Sequence, residues 1–483
     1  MSQNTTMSEP PVWIALVPVL VLITLLGSSV YLFGDDATYG PNQIALLFAA
    51  GISQLIGHRQ GWSALHAAMI EGISLAMGAC LILLMVGVLI GTWMLSGTAP
   101  ALIYYGLGLL APDYFYPAAC IICALIAMTV GSSWSCVGTV GVALIGIAQV
   151  LELSPAIAAG AIVSGAYFGD KLSPLSDTTN LAPGLVGVDL FDHIRYLLWT
   201  TIPAMLAALG LYTLLTFMDG NVRVSNDSVN STRNALSTMF DVGLVSLLPL
   251  ALLIVMAIRR IPAYPTLAIS SISAIVVAVV IQTDTVITFG SAGQEISSTE
   301  ALVRGVWTVM TNGFEIDSGD PVIDTLLSRG GMASMLNTVW LIICAMVFGA
   351  AMERTGQLQS LATALLGRVH STGSLIGATL ATGIGMNILA SDQYMAIVLP
   401  GRMYRLEFAK RGLHPVTLSR TLEDAGTMTS PLVPWNSCGA FMAATLAVPT
   451  LTYFSYAFVN LLSPVIAMIY AAFDIRIRRI SAS

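Results

Sequence analysis

Apolar residues run along this chain in long blocks, and the lengths of those blocks predict its elements. Blocks near residues 12–33, 43–57, 70–96, 193–217, 240–258, 264–283, 333–353 and 449–473 are each read as a membrane-crossing helix. About 20 apolar residues span the roughly 30 Å of hydrocarbon in a bilayer, and most of these blocks reach that length. Four other apolar stretches, at about 115–150, 154–191, 373–401 and 414–447, are shorter-grained and interrupted by Gly, Ser, Pro and acids. Their polar breaks read "GSSWSCVGT" (131–139), "GDKLSPLSDTTN" (169–180), "GMNILASDQY" (385–394) and "EDAGTMTSPLVPWNS" (423–437).

Composition supports a membrane solvent. Charged residues make up 9% of the 483 and apolar ones 56%, whereas a soluble domain carries about 25% charge. The net charge of −7 comes with no basic patch, so nucleic acid is not an expected partner. The six cysteines form no metal-ligand spacing and are read as buried thiols. No triad, HExxH or CxxC constellation stands near the polar breaks, so an enzyme is not expected, and no cofactor is implied. The N-terminus lacks a basic region and cleavage site, so its first apolar block is read as a retained span.

Two parts of the chain can be superposed at a separation of about 260 residues. "LILLMVGVLIGTWMLSG" from Leu81 lies over "LIICAMVFGAAMERTG" from Leu341, with Gly97 opposite Gly356. At the first tip Ser132 then meets Ser391 and Ser133 meets Asp392, and Ser173-Pro174-Leu175 meets Ser430-Pro431-Leu432. Basic "GHRQG", "IRRIP" and the terminal "RIRRI" place both termini in the cytoplasm, while the acidic connection from Thr283 to Gly330 falls outside. The helix at 70–96 then runs outward and its counterpart at 333–353 inward, so the repeats are inverted. Arg368 and the basic residues of 402–411 flank the second hairpin, which enters from the cytoplasm; the first is flanked by Asp113 and Glu152 and enters from outside.

The expected fold is therefore an all-α polytopic membrane protein with two inverted-topology repeats, re-entrant hairpins and broken transmembrane helices. Its units are N-terminal helices over 1–62, a first repeat over 63–217 (hairpin 115–150, broken helix 154–191) and a linker over 218–330 with two helices and the external loop. A second repeat follows over 331–474 (hairpin 373–401, broken helix 414–447), with a cytoplasmic tail at 475–483.

Irregular backbone at membrane depth is tolerated only where it is buried in protein or lines a wet cavity. Pro174 frees carbonyls for a cation, as do Gly426, Pro431 and Pro434 in the second repeat. An acid inside a membrane is a functional candidate. Asp177, followed by Thr178, Thr179 and Asn180, is the best monovalent-cation ligand, and one carboxylate with two exclusive occupants is a minimal exchanger. Asp170 and Lys171 are read either as an ion pair that couples proton movement or as structural glue. Asp392, Asn387 and Asp424 are candidates for a second half-site.

At these residues the chain resembles the NhaC family of sodium/proton antiporters. The resemblance rests on "GSSWSCVGTVGVA", "GAYFGDKLSPLSDTTNLAP" and "TLEDAGTMTSPLVPWNSCGAFMAATL". It implies exchange of Na+ for H+ by alternating access across a bacterial or archaeal inner membrane, in lipid, as a homodimer. It assigns an ion-site role to Asp177 (the Na+ ligand), Thr178, Asn180, Ser132 and Ser133, and to Thr429 and Asn436 in the second repeat. The first tip departs from the Thr-Ser-Trp-Gly type of pattern expected there. The family also contains exchangers of organic anions such as malate for lactate, so the alternative is a Na+- or H+-coupled exchanger of a small carboxylate or amino acid.

Overall fold

A computed structural model describes residues 10–219, 226–367 and 369–480. Arg368, one of the basic residues used to orient the second hairpin, lies outside them. So do the extreme ends of the first and last units and a short part of the linker. Every extended element among the described residues is a helix; backbone pairs in β-fashion at two isolated bridges, Phe314 with Arg329 and Leu413 with Arg479. Eight helices there are long and apolar enough to cross a membrane, or ten if each of two sharply bent pairs counts as one span. Large apolar side chains such as Leu20, Leu75, Leu206 and Val280 sit on the outside. Water would penalise that surface and lipid does not. The chain is an all-α polytopic membrane protein.

Two apolar blocks fold differently from single spans. Residues 449–473 divide into Thr450–Tyr453, a one-turn helix Phe454–Tyr456 and Phe458–Ala472. Tyr453 donates to the carbonyl of Pro431 at 2.6 Å, holding this corner against the second broken helix. The block at 240–258 is the second arm of a pair, Val229–Met239 and Leu244–Ile258, bent by 91°. The acidic connection after Thr283 carries helices Thr283–Ser291 and Ser298–Asn312. They pack so closely that a Cβ on Gly290 would lie 1.9 Å from the carbonyl oxygen of Ala301.

The segment read as the first hairpin comprises Phe115–Val130 and, after a break at Gly131 and Ser132, Ser133–Cys136, a π-helical segment Val137–Gly141 and Val142–Val150. It packs along the first broken helix, Pro155–Leu172 and Asp177–Val186. Glycines make that contact possible: a Cβ on Gly165 would meet the Cys120 carbonyl at 2.0 Å, and one on Gly169 the Ala124 carbonyl at 2.2 Å. Such small-residue faces let membrane helices approach backbone to backbone. The second hairpin, Thr372–Leu389 and Gln393–Lys410, packs on the second broken helix. That helix runs from Pro415–Leu422 through a π-helical segment, Glu423–Thr427, to Ser430–Leu432 and Ser437–Leu446.

Left-handed backbone recurs at matching places in the two halves. Gly131 (φ 76°) ends the outgoing arm of the first hairpin and Ser391 (φ 60°) that of the second. Glu152 (51°) precedes the first broken helix and Gly412 (65°) the second, while Gly187 (76°) follows the first and Ala447 (55°) the second. Gly97 (75°) and Gly356 (73°) each open a short helix, Thr98–Leu109 and Gln357–Leu366, that the reading of apolar blocks did not include. Ser132 and Asp392 are both extended residues whose side chains accept from the amide three residues on.

Candidate functional site

The first tip and the first break meet at Asp170. Its Oδ2 accepts from the backbone N–H of Ser133 at 2.9 Å and from the Ser133 hydroxyl at 2.6 Å. Asp170 is 8% exposed and its carboxylate sits where the return arm starts, so it faces the amides and the positive end of a helix N-terminus. Ser132 accepts from Ser135 N–H and Ser135 hydroxyl at 3.2 Å each, which organises the tip.

Beyond Leu172 the chain leaves the helix for four residues. Thr179 donates toward the carbonyls of Asp170 (3.3 Å) and Lys171 (3.1 Å), and Asn180 toward those of Pro174 (2.9 Å) and Ser176 (2.7 Å). Four of the carbonyls near the break are thus met by side chains of the following half-helix. Thr178 lies 3.2 Å from the Ser176 hydroxyl and is buried. Asp177 is exposed, at the N-terminus of that half-helix, and lies in electrostatic reach of Asp170 and of Tyr394 beside the second tip.

Lys171 turns the other way. Successive helical residues point about 100° apart, and the lysine does not pair with Asp170. Its Nζ donates to Asp424 Oδ1 at 2.5 Å and to the Ser463 hydroxyl at 2.9 Å. Asp424 Oδ1 also accepts from Thr200 at 3.0 Å and from Ser463 at 2.8 Å, and its Oδ2 lies 3.9 Å from Arg420 Nε. Both members of the pair are fully buried. The pair ties the two broken helices to Leu190–Asp219 and to the last helix, Phe458–Ala472.

In the second half, Asn387 donates to the carbonyl of Gly426 at 2.7 Å and to Thr429 at 2.9 Å, while Asn436 donates to both oxygens of Asn387 at 3.1 Å. Asn387, Thr429 and Asn436 form one buried network around the second break. Asp392 caps the tip by accepting from Met395 N–H at 2.9 Å. Asp424, grouped with these residues from the sequence, is engaged with Lys171 instead. The two halves touch where Trp134 of the first tip stacks on Phe441 at 4.1 Å between ring centroids.

Sequence reasoning missed Arg420, Glu423, Thr200 and Ser463. The signal was present for the first two: a run Arg420-Thr421-Leu422-Glu423-Asp424 puts three charges inside an apolar stretch, and every one of those charged side chains is fully buried. Thr200 and Ser463 are single hydroxyls in apolar helices, and nothing local distinguishes them.

Comparison with known proteins agrees with this architecture. Residues 165–475 match the Na+/H+ antiporter family. The Na+/H+ antiporter NhaC of Alkalihalophilus pseudofirmus is 39% identical over 89% of each chain. The arginine/ornithine antiporter ArcD of Halobacterium salinarum is 36% identical over 94% of this chain and 90% of its own. The malate-2H+/Na+-lactate antiporter of Bacillus subtilis is 36% identical over 89% of each chain. The match of the family over most of the chain, the extended identity to NhaC and the three motifs together establish that this chain belongs to the Na+/H+ antiporter family.

Proposed function

We propose that the chain is a secondary transporter exchanging Na+ for H+ across the cytoplasmic membrane of a prokaryotic cell, with both termini cytoplasmic. The two halves act as inverted repeats, and each hairpin with its broken helix rocks against the remaining helices to give alternating access. The chain works in lipid as a homodimer, with the unit boundaries at 62, 217, 330 and 474. Na+ enters at exposed Asp177, passes buried Thr178 and is held against Asp170, Ser132 and Ser133, with Asn180 shaping the break. Asn387, Thr429 and Asn436, with Asp392 at their tip, make the second half-site.

The observation that carries this reading is the buried Asp170 carboxylate at the meeting of tip and break, with a second acid, Asp177, exposed beside it. An acid kept inside a membrane protein marks an ion or proton path. The relatives' names add support, since one exchanges Na+ for H+ and another couples both ions to malate and lactate.

Purified protein in liposomes loaded with a pH dye tests it. A Na+ gradient alone is expected to drive proton movement. Proton movement that needs malate, lactate, arginine or ornithine as well would overturn simple exchange and establish an organic-substrate exchanger.

A further inference from the structure

We propose that Glu423 is the carboxyl that carries the exchanged proton. This rests on the Na+/H+ reading above and assigns its proton to a residue that neither the motifs nor the half-sites single out. Glu423 is fully buried, and neither of its carboxylate oxygens has a hydrogen-bond partner among the described residues. Thr427, one turn further along the same π-helical segment, is buried too, and lies close enough to act on the carboxyl without closing a hydrogen bond. Fully partnered buried polar groups are the rule, and a buried ionised carboxylate without a partner is costly. Such a group is stable with a proton on it or with a cation against it.

Its surroundings favour an exchange of the two. The charged groups that act on Glu423 are Lys171 and Asp170 from the first broken helix and its own neighbour Asp424. Lys171 is already committed to Asp424 and Ser463, so it leaves Glu423 without a direct counter-charge. The helices Thr372–Leu389 and Phe458–Ala472, which also pack on this segment, contain no Asp, Glu, Lys, Arg or His. Gln393–Lys410, Pro415–Leu422 and Asp177–Val186 pack there too, and their Arg402, Arg405, Glu407, Lys410, Arg420 and Asp177 are not among the groups that act on Glu423. Glu423 therefore shares its field with Asp170, the acid held at the first tip. When Na+ approaches Asp170, the Glu423 carboxyl releases its proton to water and becomes the second negative charge that balances the ion. When Na+ leaves, the proton returns. A π-helical turn at this place fits the role, since such turns recur at functional sites within helices.

The test uses the full-length protein in detergent, weakly buffered, with a pH indicator and Na+ as the only addition. The wild-type protein is expected to release about one proton per Na+ bound, because a ligand carboxyl must deprotonate to take the ion. Glu423→Gln is expected to keep its Tm, having lost no partner, and to release roughly tenfold less. Glu423→Asp is expected to restore release at a shifted pH midpoint. Undiminished release from Glu423→Gln overturns the assignment and leaves the exchange reading intact, whereas no release from the wild type overturns the exchange reading itself. If Glu423→Gln cannot be recovered folded, infrared difference spectra with and without Na+ decide. A protonated-carboxyl band lost on Na+ addition, and shifted in Glu423→Asp, supports the proposal; a band unchanged in that variant overturns it.

Discussion

Lys171 and Asp424 show how much one buried pair can demand of its neighbours. Each is fully buried, and Thr200 and Ser463 complete the set of donors around Asp424. Removing one partner strands the other's charge, so Lys171→Met is expected to destabilise the protein by about 3–5 kcal/mol, read as thermal unfolding in detergent. The double change Lys171→Met with Asp424→Leu is expected to recover most of that loss, since apolar replacement of a whole buried pair is often neutral. If the double variant also regains transport, the pair is structural; if it is stable and inactive, the pair works in the cycle. Asp170 and Asp177 contrast in the same way. Asp177→Asn, at an exposed position, is expected to leave Tm unchanged and to abolish Na+-driven proton flux in liposomes. Asp170→Asn weakens a charge-assisted bond to Ser133 and is expected to lower stability by roughly 1.5–3 kcal/mol as well.

Among the elements, the first hairpin and the first broken helix are joined by glycines rather than by side-chain interlock. Gly165→Ala would force a methyl group to within 2.0 Å of the Cys120 carbonyl. Overpacking of this kind costs about 1–3 kcal/mol and pushes the helices apart, so both the unfolding temperature and transport are expected to fall. Gly184, in the half-helix after the break, has open space within 4 Å of where a Cβ would stand. Gly184→Ala is expected to be neutral or stabilising by about 0.5–1 kcal/mol, because alanine suits a helix interior better than glycine. Unfolding midpoints of the two variants, measured side by side, separate close packing from a general intolerance of substitution. The breaks themselves were legible, because Pro174 and Pro431 stand in clusters of hydroxyls and acids inside apolar runs, whereas Pro18, Pro203 and Pro464 stand in apolar runs without such a cluster and their helices continue. The short helices opened by Gly97 and Gly356 were not, since a left-handed glycine leaves no mark in a hydrophobic pattern.

For the molecule as a whole, the proposed orientation rests on charge and is open to direct measurement. All six native cysteines are buried, so single introduced thiols report cleanly. A cysteine at Glu295, exposed in the acidic connection, is expected to react with a membrane-impermeant reagent in intact cells. One at Lys410, exposed at the end of the second hairpin, is expected to react only in inside-out vesicles. Labelling of both from one side would overturn the inverted arrangement. The C-terminal segment also belongs to this level. Arg478 pairs with Asp192 at 2.8 Å and its carbonyl accepts from His414 N–H at 2.9 Å, so the chain end is folded back onto the start of the second broken helix.

The local pattern of residues determined that this chain lives in a membrane, where most of its helices run and where four stretches are interrupted. Those properties depend on length, apolarity and proline, which are read over a few neighbouring positions. Only the tertiary structure decided which partners the acids have. Asp170 and Lys171 are adjacent in sequence yet face different partners, and the lysine's partner lies 253 residues away. Burial and pairing are set by which helix faces meet, and a face meets its partner through the fold of the whole chain rather than through its own sequence. For that reason Asp177 stands exposed at the edge of the break, while Glu423, unremarked in the sequence, lies fully enclosed beside the buried pair.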